Sequence, residues 1–188
     1  MIRTLIVSAA LLVPATASAQ QAADLSQGRL EIQGTANPAC VIRGPTAAVG
    51  NNMRFDPAGP TAGQIGITNF VDTNAVSRGG TISIALPVVC NSAHRVIVRS
   101  SNGGLRRQGA AVAVQGNQFA QSFPYQVTTQ WGGQNGQLTT DQGGTLTINT
   151  GEARAGQLGL QINVAAGGRP LVAGTYSDQI VVELQAAN

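Results

Sequence analysis

The chain has 188 residues, a formal net charge of +3 and charged side chains at only 10% of positions. Every basic residue is an arginine, the arginines form no stripe, and aromatics make up 4% of the chain, so the charged surface and stacking platforms of a nucleic-acid-binding protein are missing. The absence of lysine also excludes lysine-based catalysis.

Arg3, an apolar run over 5–13 and Ala17-Ser18-Ala19 have the form of a secretory signal peptide cut after Ala19. The run is shorter than the roughly 20 residues a membrane span needs, and Pro14 interrupts it. The organisation expected is a leader over 1–19, an N-terminal arm over 20–37 and one body over 38–188. That body is long enough to bury a core without metals or many disulfides. In an exported chain the two cysteines, Cys40 and Cys90, read as a disulfide. Closing the loop between them stabilises the fold by roughly 4 kcal/mol on chain-entropy grounds.

No stretch beyond the leader holds a helical period. Short alternating apolar runs bounded by Gly, Asn, Pro and Asp recur instead, and they predict an all-β sandwich or barrel. The arm alternates over 28–35, with Gly28, Leu30, Ile32 and Gly34 on one parity. Strands are then predicted over 40–43 and, weakly, 64–68. In the strong run 81–90, Ile82, Ile84, Leu86, Val88 and Cys90 share one face, which turns the second cysteine inward for a bridge to an opposing sheet. Pro87 faces the other way and marks an edge or a bulge. The run 95–100 turns Val96 and Val98 inward. A hairpin is predicted from 110–115 and 118–120 across Gly116-Asn117, followed by strands over 125–130, 145–149 and 157–165. The last strand, 176–185, carries Tyr176, Ile180, Val182 and Leu184 on one face. Loops are predicted over 43–63, 69–80 and 131–144.

Residues with catalytic potential are few. His94 is the only histidine, and its place after Asn91-Ser92-Ala93 predicts a solvent-facing loop residue. The acids are dispersed, and no G-x-S-x-G, P-loop, G-x-G-x-x-G or H-E-x-x-H pattern occurs. Trp131, beside Gly132-Gly133, reads as a residue packed at the sandwich end rather than a sugar-stacking platform. Arg106-Arg107 reads as a solvated hairpin tip. In Gly174-Thr175-Tyr176-Ser177-Asp178, Tyr176 brings a ring inward and a hydroxyl that needs a partner, and Asp178 falls at the rim where it can accept backbone N–H bonds. These residues point away from an enzyme, with no metal and no cofactor.

The leader, the arm around Leu30-Glu31-Ile32, Cys40-Val41-Ile42, Val88-Val89-Cys90 and the closing Ala173-Gly174-Thr175-Tyr176-Ser177-Asp178 together resemble the spore coat protein U domain family, which includes pilins of the archaic chaperone–usher pili. The resemblance covers residues 20–188. It implies an incomplete immunoglobulin-like β-sandwich completed by donor-strand exchange. The donor residues would be Gly28, Leu30, Ile32 and Gly34, and the acceptor groove would run along Tyr176, Ile180, Val182 and Leu184. The implied partners are a periplasmic chaperone, an outer-membrane usher and neighbouring copies or related pilin subunits. The implied place is the periplasm and then the cell surface, in a fimbria that supports adhesion or biofilm formation.

Sequence physics agrees with that scheme, because an alternating arm free of the body is what strand addition requires. The alternative is a stand-alone secreted sandwich that binds a ligand, its arm folded into its own groove. An outer-membrane barrel fits less well, since such barrels carry aromatic girdles.

Overall fold

The computed structural model describes residues 31–187. The expected leader and the arm residues Gly28 and Leu30 lie outside them. Residues up to Thr35 and the body from Ala36 onward form separate units. In the first, residues 31–35 have no regular secondary structure, Ile32 is exposed, and Gln33 Nε2 donates to Glu31 Oε1 at 2.7 Å.

The body is all-β, with antiparallel ladders and, among the described residues, one 3-10 turn at Thr140–Gln142. Its strands are β1 (Cys40–Ile42), β2 (Ala47–Asn51), β3 (Met53–Pro57), β4 (Gly63–Ile67), β5 (Ser77–Cys90), β6 (His94–Ser100) and β7 (Leu105–Arg107). They continue as β8 (Ser122–Phe123), β9 (Gln126–Trp131), β10 (Gln134–Thr139), β11 (Thr145–Thr150), β12 (Arg154–Gly167), β13 (Tyr176–Ser177) and β14 (Ile180–Ala186). Among the described residues no helix is long and apolar enough to cross a membrane.

The largest sheet runs β1-β5-β12-β9-β10, with β2 also on β5. Its spine is the long β5/β12 ladder, which sets Leu158 opposite Leu86, Leu160 opposite Ile84 and Ile162 opposite Ile82. A second sheet runs β11-β6-β14. Alternation puts Ile82, Ile84 and Val88 of β5 and Leu158, Leu160 and Ile162 of β12 into one core with Val96 and Val98 of β6 and Ile148 of β11. The result is sandwich-like: two apolar sheet faces closed on each other, with polar residues outward. Two smaller sheets, β13-β7-β8 and β3-β4, complete the body.

Several expectations are corrected. The disulfide Cys40–Cys90 forms, but it joins adjacent strands of one sheet, because Cys40 and Cys90 are direct cross-strand partners of β1 and β5. The expected loop 43–63 contains β2 and β3, and 131–144 contains β10. Both stretches are glycine-rich or polar, so apolar alternation does not reveal them. Their backbone pairing is fixed by their turns instead. Gly132 and Gly133 adopt φ of 62° and 80°, the left-handed pair that closes a two-residue hairpin between β9 and β10. The expected loop 69–80 loses residues 77–80 to β5.

The hairpin across Gly116-Asn117 does not form; 110–115 is coil, and Val112 is exposed. Its alternating residues find no sheet edge to pair with. The last strand is broken at Asp178 and Gln179, so that β13 pairs with β7 while β14 pairs with β6. Pro87 belongs to an inner strand. The N–H of Arg43 donates to the Pro87 carbonyl, so residue 87 faces the gap between β1 and β2, where a missing N–H breaks no ladder.

Candidate functional site

Of the expected acceptor residues, Tyr176, Ile180 and Val182 line an open channel, while Leu184, further along β14, packs against the core without lining it. Ile180 and Val182 of β14 form one wall, Ile65 and Ile67 of β4 the other, and Ile162 and Val164 of β12 the floor. The channel has a volume of about 510 Å³. Its openness follows from sheet order. Strand β6 has β11 on one side and β14 on the other, and its inward Val96 and Val98 are 0% exposed. Strand β14 has β6 on one side, and among the described residues no strand pairs with its other edge. Ile180, Val182 and Leu184 face the core as their parity predicts, yet each is only half-buried.

The backbone of β14 is open in the same direction. Ser101 N–H donates to the Gln179 carbonyl and Ala187 N–H to the Ala93 carbonyl, so the odd-numbered residues of this strand face β6. In an antiparallel ladder the intervening residues face the opposite way. The N–H and C=O groups of Ile180, Val182 and Leu184 therefore point along the free edge, beside half-buried apolar side chains. Such an edge is a template for another strand.

One end of the channel is closed by a polar knot. Asp178 Oδ2 accepts from Ser100 Oγ at 2.5 Å, Tyr125 Oη at 2.7 Å and Gly104 N at 3.2 Å. Its Oδ1 accepts from Asn102 N at 2.9 Å and Gln179 N at 2.7 Å. Burial opposes the ionised form of Asp178, yet the hydrogen bonds from Ser100, Tyr125, Asn102 and Gln179 outweigh it and hold the carboxyl below its ordinary range. Burial, joined by the Asp178 carboxylate, pushes the Tyr125 hydroxyl far above its ordinary value. Burial also raises Tyr176, whose hydroxyl donates to the carbonyls of Val172 at 2.8 Å and Ala120 at 3.1 Å. With both oxygens of Asp178 engaged, this arrangement fixes the 101–104 turn and the break between β13 and β14.

At the far end of the β6/β14 ladder the reading of His94 is overturned, while that of Trp131 as a packed residue is borne out. His94 opens β6 and is buried, not solvent-facing, and Trp131 closes β9 with 2% exposure. The indole N–H of Trp131 donates to His94 Nε2 at 2.8 Å, which leaves Nδ1–H to donate to the Ser92 carbonyl at 2.9 Å. No sequence period announces that pairing; it is made by β6 and β9 meeting from different sheets. One group with metal-ligand chemistry occurs among the described residues, Cys40, Cys90 and His94, with ligand atoms within 4.8 Å of one another. Both sulfurs are committed to the disulfide, and both His94 nitrogens to hydrogen bonds, so the group as it stands is structural. The disulfide fits an oxidising, extracytoplasmic setting.

The arm residues Gly28 and Leu30 lie outside the described residues, and Ile32 and Gly34 fall in the coil of 31–35. Arg106 and Arg107 belong to β7 rather than to a hairpin tip, with Arg107 Nε donating to the Ala173 carbonyl at 2.8 Å. Comparison with protein-family models, with curated proteins and with solved structures returns no match.

Proposed function

We propose that the protein is a structural subunit of a surface fibre, built by strand donation between neighbouring copies or related subunits. The observation that supports this reading is the apolar channel beside the edge of β14 that no strand among the described residues pairs with. It presents half-buried aliphatic side chains and free backbone groups along the same line, which is what an added strand needs. Seven arm residues, 28–34, extend over about 23 Å at ~3.3 Å per residue. Strand β14 has the same seven residues of length. Leu30 and Ile32 are the anchors, and the small residues Gly28 and Gly34 flank them.

In this reading the channel is an aggregation hazard until it is filled. A periplasmic chaperone covers it first, and the arm of the next subunit replaces the chaperone at an outer-membrane usher. The reading matches the resemblance to spore coat protein U domains, and it makes the protein a builder of adhesive or biofilm-supporting fibres without catalysis of its own.

The test is co-expression with a chaperone and usher of this pathway, followed by electron microscopy and denaturant-resistant ladders on gels. The wild-type chain gives fibres and ladders. The variant Leu30→Asp with Ile32→Asp is captured by the chaperone but gives neither. Undiminished fibres from that variant would remove the proposal.

A further inference from the structure

Four ties converge where the arm joins the body. Asn91 Nδ2 donates to the Asn37 carbonyl at 2.9 Å, Ala39 N–H donates to Asn91 Oδ1 at 2.7 Å, and Asn91 N–H donates to the Ala39 carbonyl at 3.0 Å. The Cys40–Cys90 disulfide is the fourth, one residue further on. The next segment of chain after Cys90 is a turn of three residues, 91–93, leading directly into β6. That turn is braced by His94 Nδ1–H on the Ser92 carbonyl and by the Trp131 indole on His94. Strand β6 is in turn paired along its length with β14, from Ile180 opposite Ser100 to Ala186 opposite His94. A short covalent route thus connects the root of the arm to β6, whose ladder holds β14 beside the channel, and past Cys40 it bypasses the rest of β1 and all of β2–β4.

We infer that the Cys40–Cys90 disulfide, with Asn91, is a tension shunt that passes pulling force from the arm to the channel edge without loading β1 and β2. This inference rests on the fibre reading for its biological use, but the mechanical claim concerns single molecules. Without the disulfide, force arriving at Cys40 loads β1, which has three residues, and then β2, which has five, one hydrogen bond after another from the pulled end. With it, the same force enters β5 at Cys90 and passes on to the seven-residue β6/β14 ladder. The side chain of Asn91 holds residues 37–39 in line with the bridge, so the root of the arm does not swing.

The test is optical-tweezer pulling of single full-length molecules. One handle is attached at the N-terminus. The other is attached through an azide-bearing residue at Glu183, whose side chain is partly exposed on the outward side of β14. Apart from the straightening of the residues ahead of Cys40, which is the same in both redox states, the oxidised chain shows no lengthening before the main rupture. In place, a small dithiol reduces the bridge; it takes up the second sulfur–sulfur bond itself and leaves two thiols at Cys40 and Cys90. The reduced chain then shows an early extension of about 40 Å, the length of residues 40–51 at ~3.5 Å each, at a lower force than the main rupture. Asn91→Ala lowers the force of that early step further in the reduced chain. Identical traces before and after reduction overturn the inference, as does a step of that ~40 Å length already present in the oxidised chain. Fibre formation is scored separately. Failure to form fibres would sink the assembly reading and leave the single-molecule result to decide the shunt.

Discussion

If the channel receives the arm, a peptide copying the arm stabilises a chain whose own arm has been disabled. The receptor is full-length Leu30→Asp/Ile32→Asp, and the ligand is a peptide of wild-type residues 24–36. Burying Leu30 and Ile32 contributes about 1.5–3 kcal/mol each. The three outward-facing residues Ile180, Val182 and Leu184 offer both an N–H and a C=O to an incoming strand. Each hydrogen bond made there adds a net ~0.5–1.5 kcal/mol. Ordering the peptide opposes both terms, so a modest affinity is expected, and the difference between peptides is the informative quantity. Replacing Ile32 by Ala in the peptide removes about 2 kcal/mol of burial, which weakens binding about 30-fold. Replacing it by Asp faces a carboxylate into apolar surface and abolishes binding at any practical concentration. Differential scanning fluorimetry reads the result. At 100 times its dissociation constant the wild-type peptide stabilises the receptor by about 2.7 kcal/mol, a rise in Tm of roughly 5–11 °C for a body of this size. An equal rise with the Asp peptide, or none with the wild type, refutes the reasoning.

Two further outcomes concern Asp178 in the polar knot and Gly50 in β2. Asp178 has a depressed carboxyl in the folded state, so its contribution is present above the unfolded value and is lost as pH falls through the folded one. Asp178→Asn therefore lowers stability by about 2 kcal/mol at neutral pH through weakened charged hydrogen bonds, and urea titration shows the gap to wild type closing on acidification. Gly50→Ala places a Cβ 2.1 Å from the Met53 carbonyl oxygen, a backbone atom that cannot swing aside. It costs about 1–3 kcal/mol, measured by the same titration.

The alternating runs of this chain carried most of the core in plain sight. Strands around Ile82–Val88, Val96–Val98 and Leu158–Val164 need no partner to be recognised, because a period of two with aliphatic residues has one sensible environment, a half-buried strand. Cys40 and Cys90 were legible as a pair for the equally local reason of number and compartment. What the sequence could not state is anything that depends on who lies beside whom. Strands β2 and β10 have little apolar signal and exist because β5 and β9 offer them an edge. His94 looks like a loop residue until Trp131, on a strand of the other sheet, donates its indole N–H to it. The disulfide spans neighbouring strands rather than opposing sheets, a choice made by register and invisible in spacing. The same holds for the channel: Ile180 and Val182 announce an inward face by their parity, but only sheet order reveals that, among the described residues, the strand bearing them has a neighbour on one side and an open edge on the other. Burial is a property of neighbours, and neighbours are set by the tertiary structure.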